Sequence, residues 1–291
     1  MTLIRQAPCK INLLLNVLGR RADGFHELET VLQPIPLCDR LEFARAPAGI
    51  QLKCSDPALP AGPSNLVHRA ASAFLEAAGI REGVVIHLEK RLPLAAGLGG
   101  GSSNAAATLT ALNELFDRPL EPARLHALAA RLGSDVPFFL GAEPALATGR
   151  GEQLERLAPF EALRGSVVLL VYPGFGVSTP WAYQELQRFP QAVNGRPGRA
   201  RALVAALRSG DPEAAGRCFF NSLEVPVLAK YPVLALYQEF LRERGAVATL
   251  MSGSGSTTFA LFRDRPVAEQ AAEAFKARFG ERGWMQLAPL C

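Results

Sequence analysis

The chain has 291 residues, a formal net charge of +4 and a 49% hydrophobic fraction, enough for two ordinary domains with sizeable cores, expected over residues 1–155 and 156–291. Its basic residues are scattered rather than blocked, which argues against a nucleic-acid face, and no apolar run reaches membrane-spanning length. Cys9, Cys38, Cys54, Cys218 and Cys291 are widely spaced, with no Cys-x-x-Cys and no histidine at metal-ligand spacing, so they read as thiols of a reducing compartment.

The first apolar run, residues 11–18, is broken by Asn12 and Asn16 and ends in Gly-Arg-Arg, unlike a signal peptide, so a cytoplasmic protein is expected. Residues 11–17 and 27–37 read as paired strands joined by a turn at 20–24. Lys10 and Asn12 stand two apart and share one strand face, which could aim both into one cavity. Taken alone, they read instead as a lysine snorkelling at a strand end and an asparagine facing solvent. Phe25 and His26, directly after the turn, read by themselves as local packing.

Residues 46–64, rich in Pro, Gly and Ala, suggest a surface connection, after which apolar residues recur at helical spacing from Leu66 to Ala78 with Asn65 as N-cap. Residues 84–88 have strand character. Next comes Pro-Leu-Ala-Ala-Gly-Leu-Gly-Gly-Gly-Ser-Ser-Asn, residues 93–104, leading into a helix over 105–116. Gly97, Gly99, Gly100 and Gly101 leave main-chain N–H groups uncovered, and Ser102, Ser103 and Asn104 add donors and acceptors at the helix start. Unpaired N–H groups and the positive end of a helix dipole aimed at one point make an anion cradle, which a mere connector has no reason to build from costly glycines. It is neither a Walker loop nor the dinucleotide fingerprint, since Ser102 stands where the last glycine of G-x-G-x-x-G belongs.

A helix over 123–132 precedes Gly133-Ser134-Asp135-Val136-Pro137. Asp135 reads either as the cap of a short helix begun by Pro137 or as a carboxylate drawn toward burial, and buried carboxylates are paired or functional. Residues 147–151 form another glycine-containing turn. In the second half a strand over 166–172 is followed by Thr179, Pro180, Trp181 and Tyr183, read as a small satellite core. Residues 187–201 look like an exposed insertion, helices are expected at 202–209 and 233–244, and strands at 248–250 and 259–262 flank a second Gly-Ser loop. A helix over 267–279 follows. The second loop, residues 251–258, could support the first or touch a ligand.

Three segments taken together, APCKINLLLNVLGRRADGFHE, LPLAAGLGGGSSNAAA and MSGSGSTTF, resemble in order and spacing the three motifs of the GHMP small-molecule kinases. The resemblance spans most of the chain. It implies a two-domain α/β (α+β) fold with the active site in the interdomain cleft, ATP as cosubstrate with Mg²⁺, and a cytosolic step of the non-mevalonate isoprenoid pathway. K-I-N-L-x-L, Gly-Phe-His-Glu and L-G-S-D-V-P are most similar to the branch whose acceptors carry a cytidine diphosphate handle.

Under that resemblance Lys10 and Asp135 match the catalytic pair, with Asp135 taking the acceptor's hydroxyl proton and Lys10 keeping the carboxylate ionised. Pro93, Leu94, Ala95, Ala96, Gly97, Leu98, Gly99, Gly100, Gly101, Ser102 and Ser103 match the ATP phosphate loop, and Ser103 is the candidate metal ligand. Asn65 and Lys90 match positions at the adenine end; Asn12, Phe25, His26 and Tyr183 match those that hold the cytidine. Phe25 stands where tyrosine is more usual, an exchange that stacking tolerates. A monomer or weak homodimer with a small-molecule substrate is implied, without nucleic acid or membrane. The rivals are a kinase for homoserine, mevalonate or a sugar, and a non-catalytic metabolite sensor on the same fold. A dinucleotide-dependent oxidoreductase is disfavoured by the failed fingerprint.

Overall fold

A computed structural model describes residues 2–193, 196–281 and 283–290; Cys291 and two positions of the expected insertion lie outside them. The fold is mixed α/β, as expected. Cys9, Cys38, Cys54 and Cys218 form no disulfide. The chain divides into two compact units. One holds the start of the chain to Cys9 with Leu37–Leu92 and Gly99–Ala142; the other holds Lys10–Pro36, Pro93–Leu98 and the chain from Glu143 onward.

In the first unit, the strand Gly83–Glu89 pairs antiparallel with the second half of the strand His26–Ala46, Phe43 opposite Ile86, and parallel with Ile50–Cys54. Val84, Ile86 and Leu88 alternate into the core, which fixes the register, because a one-residue slip would turn them to solvent. Ile50–Cys54 lies inside what the composition suggested was a plain connection; its alternating polar residues hide a strand whose pairing partner is thirty-odd residues on. Helices Leu66–Ala78, Gly100–Leu115 and Pro122–Leu132 pack together. Val67, Ala70, Ala71 and Phe74 form the buried stripe of the first, each large side chain contributing about 1.5–3 kcal/mol on burial. Asn65 caps that helix, its side chain accepting from the Val67 N–H, and Gly79 closes it at φ +65°.

The second unit contains a four-stranded antiparallel sheet in the order Trp284–Pro289, Val167–Tyr172, Thr258–Phe262, Ala248–Met251. Helices Val233–Glu243 and Arg265–Phe279 contribute Leu241, Ala268, Ala271 and Phe275 to a core with Leu169, Ala260 and Phe262. The strands Thr2–Arg20 and His26–Ala46 are neighbours, joined by a turn in which Arg21 N–H donates to Phe25 O and Gly24 takes φ +86°. The short strand Phe220–Asn221 runs parallel to this hairpin's first strand, Asn221 opposite Leu15. Trp181 and Tyr183, on the helix Thr179–Leu186, pack against a satellite core of Val177, Ala182, Leu186 and Leu223, as expected.

Candidate active site

The glycine-rich segment is divided between the two units. Its first half, Pro93–Leu98, is held by residues far along the chain. Gly97 takes φ +77°, and a Cβ there would lie 2.0 Å from Ser252 O, so only glycine fits. Thr257 N–H donates to Ala96 O at 3.2 Å, and Ser252 Oγ donates to Gly97 O at 2.9 Å. The second Gly-Ser loop therefore braces the first, one of the two roles open to it from sequence.

Lys10 sits against the same carbonyl. Its main-chain N–H donates to Leu98 O at 3.0 Å, and its Nζ donates to Asn12 Oδ1 at 2.6 Å and Gly97 O at 3.1 Å. Asn12 Nδ2 in turn donates to Thr30 Oγ1, which donates to Leu14 O. Lys10 and Asn12 are each 4% exposed, so the snorkelling lysine and solvent-facing asparagine are corrected. The strand's alternation turns both side chains inward, where the ammonium's lost hydration is offset by Asn12 Oδ1 from the same strand face and by Gly97 O, 87 residues downstream.

The second half of the segment is helical from Gly100, five residues earlier than low glycine and serine propensity suggested, because packing overrides propensity here. Gly99, at φ +72°, is the N-cap and makes no side-chain cap hydrogen bond. Ser103 N–H makes the first bond back to Gly99 O, so by helical geometry the N–H groups of Gly100, Gly101 and Ser102 have no intrahelical acceptor. Ser103 is 1% exposed, yet its Oγ has no hydrogen-bond partner, and the same holds for Asn104 Oδ1. An orphaned buried hydroxyl in the first turn of a helix, beside three open amides, is a place for a ligand oxygen or a cation to complete.

Lys90 and Asp39 form a buried ion pair, and the Asp39 carboxylate also accepts from the Arg91 and Leu92 N–H groups at 2.8 and 2.9 Å. A Cβ on Gly100 would lie 3.4 Å from Lys90 Nζ, so this pair underlies the helix mouth. Sequence reasoning missed Asp39, which is fully buried within a strand; a lone carboxylate between Cys38 and Arg40 gives no local signal. Asn65 spends its amide on structure, donating to Pro60 O while it caps.

His26 meets Tyr183 with ring centroids 5.0 Å apart and lines a cavity of about 230 Å³ with Arg20, Leu186, Gln187, Pro190 and Val193. Burial, and then the charge of Arg20, hold the His26 imidazole below its ordinary pKa, so it is neutral at pH 7. Phe25 is 52% exposed and carries the Arg150 guanidinium over its ring at 4.6 Å. The expected exposed insertion is partly tied down. Ala192 and Ala200 are buried, Asn16 Nδ2 donates to Arg196 O, and the buried Glu29 carboxylate accepts from the Gly198 and Ala200 N–H groups at the start of helix Arg199–Arg208. Asp135 is half-buried and lies two residues before Pro137, the N-cap of a 3-10 helix Phe138–Leu140.

Residues 65–142 match the GHMP kinases N terminal domain and residues 203–281 the GHMP kinases C terminal domain. A homoserine kinase of Cytophaga hutchinsonii has the same fold, with TM-score 0.79 at 21% identity over 99% of this chain and 95% of that one. The class is thus an ATP-dependent small-molecule kinase of the GHMP type. A 4-diphosphocytidyl-2-C-methyl-D-erythritol kinase of Pelotomaculum thermopropionicum is 46% identical over 95% of this chain and 94% of its own, and one of a Synechococcus species is 43% identical over 96% and 90%. A crystal structure of 4-(cytidine 5'-diphospho)-2C-methyl-D-erythritol kinase has TM-score 0.82 and 40% identity, covering 99% of both chains. The chain belongs to this family of GHMP kinases.

Proposed function

We propose that this chain transfers the γ-phosphoryl group of ATP to the 2-hydroxyl of 4-diphosphocytidyl-2-C-methyl-D-erythritol, in the methylerythritol phosphate route to isoprenoids. The relatives' acceptor supports the substrate. The single observation that carries the phosphoryl-transfer half is the unpartnered Ser103 hydroxyl beside the open amides of Gly100, Gly101 and Ser102. These groups suit the nucleotide's phosphates, whose charge the helix dipole favours.

Mg²⁺ fits the same place. Mg²⁺ sites ask for only an oxygen or two from protein when phosphate and water complete the shell, and Ser103 Oγ would be the residue to provide one here. Bound there, the ion neutralises charge developing on the phosphoryl oxygens. Lys10 is a fixed cation whose ammonium is oriented by Asn12 and the Gly97 carbonyl. Asp135 accepts the acceptor's hydroxyl proton, a modest demand if transfer is loose and the proton departs late. His26, neutral and facing a cavity of pyrimidine scale, reads the cytosine edge; Tyr183 and Phe25 supply ring faces. Lys90 and Asn65 flank the adenine end. The cytidine diphosphate is a handle whose binding energy orients the reacting end.

We assign the chain to the cytoplasm as a monomer or weak homodimer, with the domain boundary near residue 155. An assay of ADP release with the cytidyl acceptor, homoserine, mevalonate and galactose tests the assignment. Turnover with the cytidyl acceptor at least 100-fold above the others is expected. Preference for another acceptor moves the chain to a sibling kinase, and turnover with none revives the sensor.

A further inference from the structure

We infer that Asn221 is a positioning residue for phosphoryl transfer: its amide clamps the turn at 251–253, and that turn fixes the Gly97 carbonyl and the Lys10 ammonium. Its kinetic arm rests on the kinase reading above; its structural arm does not.

Asn221 is 2% exposed, at the end of the short strand pinned to Leu14 and Leu15. Its Nδ2 donates to Met251 O and Gly253 O, both at 2.8 Å, while its Oδ1 accepts from Leu223 N–H at 2.9 Å. Both amide hydrogens are thus spent on one turn. Glu224, three residues on, accepts from Met251 N–H at 2.8 Å and from Gln238 Nε2 at 2.5 Å. Met251 is therefore held at its N–H and its C=O from a single four-residue segment.

What the clamp holds is the wall beside Lys10. Gly253 takes φ +57°, and a Cβ there would lie 3.3 Å from Lys10 Nζ and 3.0 Å from Gly97 O. Ser252, between the two clamped carbonyls, donates its hydroxyl to Gly97 O, the oxygen that Lys10 Nζ also donates to. A turn free to shift would release that oxygen, and the ammonium, still held by Asn12 Oδ1, would lose the contact that fixes it against the glycine segment. Aspartate has the shape of asparagine but offers only acceptors, so at position 221 it would face two carbonyl oxygens with a third.

The test is Asn221→Asp, with Asn221→Ala in case the first does not fold and Leu287→Ala as a destabilised control in the second unit's sheet. Acylation of Lys10 by N-hydroxysuccinimide acetate is followed by peptide mass spectrometry in the full chain, with the half-exposed Lys276 as reference. Either Asn221 variant should label Lys10 about tenfold faster, through easier local opening. It should also lose about 100-fold in kcat per folded molecule, with the cytidyl-acceptor KM within twofold. Leu287→Ala should lower Tm and change neither readout. Unchanged Lys10 labelling in a folded Asn221 variant overturns the clamp, and faster labelling with wild-type kcat overturns its part in the reaction. Wild-type protein inactive on every acceptor would instead count against the kinase reading, while the labelling still decides the clamp.

Discussion

Lys10 Nζ and Ser252 Oγ donate to one and the same main-chain oxygen, that of Gly97, at 3.1 and 2.9 Å. A carbonyl has two lone pairs, and both are taken by groups from opposite ends of the chain. The geometry of the glycine segment and the aim of the ammonium are thus one property, and substitutions at either should show it.

Gly97→Ala puts a methyl group 2.0 Å from Ser252 O on a backbone at φ +77°. ATP with Mg²⁺ should raise the Tm of the wild type and leave that of the variant unmoved, since stabilisation follows binding to the native state. An equal Tm rise in both proteins would mean that the segment does not hold the nucleotide.

Ser103→Ala should separate stability from activity. The hydroxyl has no partner in the folded chain, so its removal should leave the urea midpoint unchanged or slightly higher. If it serves the metal or a phosphate, kcat should fall about 10–100-fold and the Mg²⁺ dependence should shift to higher concentration. A variant both less stable and fully active would contradict the assignment.

Asn12→Ala removes an acceptor from a buried ammonium and a donor from Thr30. A loss of about 1–3 kcal/mol in chemical unfolding is expected, with reduced kcat. An unmoved midpoint would show that the ammonium finds a replacement acceptor at no cost.

Asp135→Asn should lower kcat by roughly 1,000-fold or more while nucleotide affinity, measured by calorimetry, changes little. Wild-type kcat in this variant would exclude Asp135 as the proton acceptor.

His26 is held neutral by burial and by Arg20, and its folded pKa lies below the ordinary imidazole value of about 6.5. The unfolded chain therefore takes up the proton first, and stability declines as pH falls from about 6.5 toward the folded value. The KM for the cytidyl acceptor should rise on acidification with a midpoint below 6.5, since imidazolium cannot accept a hydrogen bond from the base. His26→Gln should remove that acid limb; an acid limb of the same midpoint in the variant would assign it to another group.

Much of this was legible in the sequence because it is local. The Asn65 cap, the strand character of residues 84–88 and the helical stripe from Val67 to Phe74 are each written within a dozen residues; the cap and the stripe formed as read, and the strand runs one residue further at each end, Gly83–Glu89. What sequence reasoning missed is long-range. Asp39 finds its amide donors 52 and 53 residues on, Asn221 clamps carbonyls 30 and 32 residues away, and Glu29 meets Gly198 across 169 residues. A buried carboxylate or carboxamide looks like any polar residue until its partners arrive. Lys10 and Asn12 misled for the same reason, since Gly97, one of the ammonium's acceptors, lies 87 residues downstream.

The bracing of Ala96 and Gly97 by residues 252–257 also orders events in time. A nascent chain emerges from its N-terminus, so the glycine segment leaves the ribosome long before the turn that completes it. Until residues 252–257 are released, Ala96 O lacks the Thr257 N–H and Gly97 O lacks the Ser252 hydroxyl, and of the partners described above the segment keeps only Lys10. If the segment grips the phosphates, a chain arrested before residue 252 should therefore bind nucleotide more weakly than one that carries residues 252–257.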